Sequence, residues 1–122
     1  MQPFSAFLME REYNVFDDST INEMANLSKQ TTHLPIVIYV SDNRGVNHGP
    51  RIKCNCSYGN WSGQSFTVTI DHEPRAIGKT GDIKPSDVQT VLDWVKINYD
   101  CLIKYWKLEI GIGELIAALQ SI

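Results

Sequence analysis

KPSDVQTVLDWVKINYDCLIKYW, residues 84–106, is the longest stretch of this chain with one consistent period. Val88, Val91, Leu92, Val95, Tyr99, Leu102, Ile103 and Trp106 recur at three- and four-residue steps, which sets them on one face of a helix. Pro85 suits the first turn, where its missing N–H has no helical partner to lose, and Ser86 with Gln89 reads as a capping box. The spacing predicts one buried-face helix of roughly six turns. Trp106 lies on the stripe and belongs in the core, whereas Trp94 is displaced towards the flank, under the terminal helix or the N-terminal arm. A helix this long needs a partner surface, and the residues before it supply strands.

Working outward, HLPIVIYVSD (33–42) has Ile36, Ile38 and Val40 on one face and Val37 and Tyr39 on the other, as suits a central strand covered on both sides. NRGVNHGP is loop by its Asn, Gly and Pro content. Arg51 to Cys56 then alternates, with Ile52, Cys54 and Cys56 inward, and Ser65 to Asp71 alternates with Phe66, Val68 and Ile70 inward. The two form a hairpin through SYGNWSGQ. Matching inward residues sets Cys56 against Phe66, Cys54 against Val68, Ile52 against Ile70 and Arg51 against Asp71, with Lys53 beside Thr69. Arg75-Ala76-Ile77 offers one more short strand.

At the ends, Thr20 with Glu23 reads as a capping box opening a short helix through Met24 and Leu27 to Thr31, and Ile112, Leu115, Ile116 and Leu119 read as a last helix after Gly111 and Gly113. Residues 1–19 mix Phe4, Phe7, Leu8 and Phe16 with charges at no clear period, and the segment up to Thr32 is expected to pack on a sheet edge or on a second copy of the chain. The expected fold is α+β: a small antiparallel sheet of three to four strands with the long helix on one face, flanked by short N- and C-terminal helices. It forms one domain over 1–122, divided into an extension (1–33), a core (34–106) and a C-terminal helix (107–122).

No run approaches the roughly 18 to 20 apolar residues of a membrane span, and Glu10, Arg11 and Glu12 stand where a signal peptide would be apolar, so the expected setting is cytoplasmic, with no membrane partner. Three cysteines give no disulfide framework, and reduced thiols are expected. The net charge of −3 is uneven: residues 34–81 carry five basic and three acidic side chains. That excess is far below the footprint of a typical nucleic-acid module.

Residues 34–106 resemble the small prokaryotic domain-of-unknown-function family 4160. The likeness rests on Tyr39 and Asp42 at a strand end, His48 and Pro50 closing a loop, Tyr58-Gly59, Gly81 with Ile83, and a helix with Val91 to Val95 and Leu102 to Trp106. It implies a prokaryotic or phage cytoplasmic protein, encoded beside another small protein in toxin–antitoxin or mobile-element modules, and carries no activity. Where that family commonly has His-Phe-His after the proline, this chain has Arg51-Ile52-Lys53. Two histidines so spaced can share a metal or a proton, whereas charged Arg and Lys cannot ligate one.

Candidate chemistry is sparse. Gly78-Lys79-Thr80 lacks the glycine of a phosphate loop at Glu73 and reads as a turn. Cys54 and Cys56, with His48 or His72 nearby, have zinc-ligand chemistry, but their alternation turns both thiols inward as small hydrophobes. Asp71 and His72 point to opposite faces of a strand and make no acid/base pair. No catalytic, metal or cofactor site is expected. The binding candidates are Arg51, Lys53 and Arg75 as a cationic strip, Trp61 on its glycine-rich loop, and His48. Trp61 either folds back on the sheet edge or meets a ligand. The preferred function is a non-enzymatic protein-interaction component, binding a protein partner or itself; the alternative is a small RNA- or DNA-binding or RNA-cleaving protein, with the strip on phosphate and Trp61 on a base.

Overall fold

The structure, a computed structural model, describes residues 24–44 and 48–122. In chain order the elements are β1 (Met24–Leu27), α1 (Lys29–Thr32), β2 (Ile38–Ser41), β3 (Arg51–Asn55), β4 (Ser65–Thr69), β5 (Ala76–Ile77), α2 (Pro85–Ile97), α3 (Tyr99–Trp106) and α4 (Ile112–Ala118). The strands make one open antiparallel meander in the order β1-β2-β3-β4-β5. The fold is α+β. No helix among the described residues is long and apolar enough to cross a membrane.

Alternation builds the sheet. Ile38 and Val40 of β2, Ile52 and Cys54 of β3, and Phe66 and Val68 of β4 are all buried, and they form one core with Val91, Trp94, Val95, Leu102 and Leu115 of the helices. Every helix with a buried apolar side chain therefore covers the same face. Val37 and Tyr39, expected under a second layer, are only half-buried.

The sheet has five strands rather than three to four, because Met24–Leu27 is a strand and not part of a helix. Ala25 and Leu27 lie opposite Val40 and Ile38, so β1 buries Leu27 and pairs the otherwise open edge of β2. The helix starts at Ser28 instead, whose Oγ accepts the Thr31 N–H at 3.2 Å. It ends within a turn at His33, which sits in the left-handed region at φ 64°. The capping box proposed at Thr20, the surface sought by residues 1–19, and residues 45–47 lie outside the described residues.

The hairpin register differs by two from the one expected. Ile52 faces Val68, Cys54 faces Phe66, Asn55 faces Ser65, and Arg51 lies opposite Thr69 and not Asp71. A slip of two keeps every side chain on its face, so alternation cannot distinguish the two registers. The loop decides instead. Asn55, fully buried, donates from Nδ2 to the carbonyls of Gly59 (3.2 Å) and Asn60 (3.0 Å), and its Oδ1 accepts from the Ser62 N–H (3.1 Å) and Oγ (2.9 Å). That uses the full capacity of the amide and closes the strands at the Asn55–Ser65 pair.

The long helix is two segments meeting at Asn98. This residue is 2 % exposed, and its Nδ2 donates to the Trp94 and Gln120 carbonyls while Oδ1 accepts the Gln120 N–H at 2.8 Å. The amide competes for the Trp94 carbonyl and ties the chain after α4 to the break. Pro85 is the first helical residue, as expected, but Lys84 takes the cap position rather than Ser86. The two tryptophans exchange roles: Trp94 is fully buried and Trp106 only half-buried. Trp106 is the last residue of α3, and its carbonyl accepts the Asn43 N–H at 3.0 Å just beyond β2. Gly81 locks the approach to α2. It has φ 63°, and a Cβ there would lie 2.6 Å from Cys56 Cβ.

Candidate functional site: the open face of the sheet

With the helices on one side, the other side of the sheet is uncovered among the described residues. Pairing lays Asn26, Tyr39, Lys53, Thr67 and Ile77 across it in one row, and Met24, Ser41, Arg51 and Thr69 in the next. Arg75 extends the second row: its N–H donates to Thr69 Oγ1 at 2.9 Å and its carbonyl accepts the Thr69 N–H at 3.0 Å. The three cationic candidates thus lie on one face, Arg51 and Lys53 on β3 and Arg75 across β4 from them, just before β5. Among the described residues none of them makes an ion pair, and the Arg51–Asp71 pair drawn from the expected register is not formed. Asp71 instead accepts the Glu73 N–H and closes its own turn.

Trp61 comes to this face and not to the sheet edge. Its ring lies edge-on against Tyr39, centroids 4.6 Å apart at 62°, and it remains 39 % exposed. Together with Met24, Asn26 and Lys53 the two rings line a hollow of about 360 Å³. The loop that presents Trp61 is anchored at several points. Asn55 holds its tip from below, Tyr58 Oη donates to Asp87 Oδ2 at 2.6 Å and accepts the Lys84 N–H at 2.9 Å, and Lys29 Nζ donates to the Tyr58 carbonyl at 2.8 Å. The bond to Asp87 pushes the Tyr58 phenol above its usual range, so it stays a neutral donor. A loop fixed in this way offers its aromatic ring with little ordering left to do on binding.

The remaining candidates are not drawn in. His48 precedes β3 with Nδ1 donating to the Gly49 carbonyl at 2.8 Å, and it does not line the hollow. Cys54 and Cys56 are buried beneath the sheet as expected, and burial pushes the thiols of Cys54, Cys56 and Cys101 up, away from thiolate character. His72 lies on Tyr99, ring centroids 4.0 Å apart, rather than against a carboxylate. Among the described residues no three His, Cys, Asp or Glu side chains gather as a metal site.

Four participants escaped the sequence reading. Met24 and Asn26 did so because β1 read as helix, and Tyr39 because a covering layer was expected over it. Asn55 was placed on the polar face, with nothing to show that a loop would fold over it. The outward position of Tyr39 in the alternation was the available signal. No protein-family model, no curated protein and no solved structure matches the chain.

Proposed function

We propose that this protein is a non-enzymatic binding module that takes a nucleic acid on the open face of its sheet. The observation that carries the reading is the Tyr39–Trp61 hollow, which shares Lys53 with a strip of cations that have no ion-pair partner among the described residues. An aromatic face stacks a base whatever its identity, and cations two residues apart on a rigid strand track a phosphate chain. The weak total charge counts less than its placement. Five of the fourteen acidic residues lie in 1–23, and residues 24–122 carry ten basic and nine acidic side chains.

The test is charge reversal of Arg51 and Lys53 together to Glu in the full chain. Neither side chain packs in the core, so the melting temperature is expected to stay within a few degrees. Binding of a labelled RNA of about twelve nucleotides, read by fluorescence anisotropy, is expected to fall at least tenfold, and the parent's affinity to drop steeply between about 50 and 200 mM salt. Undiminished RNA binding by the folded double variant would sink the proposal.

A protein partner is the second reading, favoured by the exposed Leu108, Ile112 and Ile116 at and before α4. The resemblance to domain-of-unknown-function family 4160 carries no activity and favours neither reading. On that likeness we propose that the protein is encoded by a prokaryote or a phage and acts in the prokaryotic cytoplasm, as one component of a toxin–antitoxin-like or mobile-element module.

A further inference from the structure

A second hollow, of about 560 Å³, lies on the other side of the loop tip, lined by Lys29, Gln30, His33, Val37 and Asn60 among others. It continues the first in both layers. Val37, just before β2, precedes Tyr39 on the outer face by one two-residue step, about 6.7 Å of extended chain, and Asn60 and Trp61 are consecutive in the loop, one at each hollow. Neither hollow is lined by any Asp or Glu, and each contains a lysine. The walls of the second are fixed: Lys29 Nζ donates to the Tyr58 carbonyl, and His33 Nδ1 is 2.6 Å from Ser121 Oγ.

We infer that the ligand is single-stranded and crosses both hollows, with one unpaired base against Trp61 and the next nucleotide among Lys29, Gln30 and His33. This rests on the nucleic-acid reading above and adds the class of ligand and a second subsite. Only an unpaired base frees its π-face for Trp61, and the projecting loop divides a surface that a rigid duplex needs open. The amide and imidazole groups of the second hollow offer the donors and acceptors that base edges and ribose take.

Gln30→Glu tests the path, since Gln30 is exposed and the change places an anion in the second hollow with almost no change in shape. With the full chain, a single-stranded oligouridylate of about twelve nucleotides is expected to bind at least tenfold tighter than a blunt RNA duplex of equal length. Gln30→Glu is expected to weaken the single strand about fivefold, the effect of one charge near a phosphate at the surface, with an unchanged melting temperature. Equal binding of duplex and single strand, or of Gln30→Glu and parent, overturns the inference. The nucleic-acid reading itself survives that result if reversal of Arg51 and Lys53 still abolishes binding. Both fall if the reversal has no effect, or if a polyglutamate peptide binds the face and neither RNA does.

Discussion

At the carboxyl of Asp42, burial and pairing pull in opposite directions. The side chain is 4 % exposed, which raises its pKa, but Arg44 donates to Oδ2 from Nη2 at 2.7 Å and from Nε at 3.1 Å, and its backbone N–H reaches Oδ1 at 3.0 Å. The arginine outweighs burial and holds the carboxyl below its ordinary value. The next residue ties the corner to the helices, as the Asn43 N–H donates to the Trp106 carbonyl at 3.0 Å. A carboxyl whose folded pKa is depressed stabilises fully above its unfolded pKa and loses that contribution as pH falls through the folded one. Asp42→Asn is therefore expected to melt below the parent by a constant margin between about pH 5 and 7, a margin that closes below about pH 4. Thermal melts of both chains across that range check this, and an undiminished margin at about pH 2.5 would remove the ion pair as its source. Asp42 was legible as a strand-end residue. Its pairing was not, because a side chain two residues away in a loop has many orientations and only the packed corner selects one.

Among the elements, position along an axis mattered as much as position around it. Trp94 and Trp106 lie at comparable angles from the buried line through Val91, Val95, Asn98 and Leu102, yet only Trp94 belongs to the fully buried core, whereas Trp106 is the last residue of α3 and half-buried. Trp94→Ala is expected to cost about 3 to 5 kcal/mol and Trp106→Ala about half of that or less, measured by urea unfolding. A larger loss at Trp106 would mean that the helical end, not its centre, seats on the strands. The hairpin makes the same point for strands. Period two chose the faces of Ile52, Cys54, Phe66 and Val68, but the choice between registers two apart fell to the Asn55 amide inside the loop.

For the whole molecule, the placement of all three longer helices on one face creates both the core and the open surface opposite. β1 belongs to that arrangement and is no accessory, because Leu27 is 1 % exposed and its strand pairs all of β2. A chain shortened to begin at His33 loses those bonds, uncovers the inner side of β2 and strips Met24 and Asn26 from the Trp61 hollow. It is expected to melt at least about 5 °C lower and to self-associate on size exclusion. A monodisperse chain with the parent's melting temperature would show that β1 is dispensable.

The sequence by itself determined the class of fold, the inward faces of β2, β3 and β4, the burial of Cys54 and Cys56, and the start of α2 at Pro85. Each of these follows from spacing along the chain or from the local backbone preference of one residue, which no distant contact had to decide. Only the tertiary structure decided that Met24–Leu27 would be a strand, since four residues of mixed propensity take the state that satisfies the free edge beside them. It likewise decided the register, the break at Asn98 and the meeting of Trp61 with Tyr39 and Lys53. Those depend on side chains far apart in sequence finding one another's hydrogen bonds and surfaces, and the one-dimensional pattern carries no term for that.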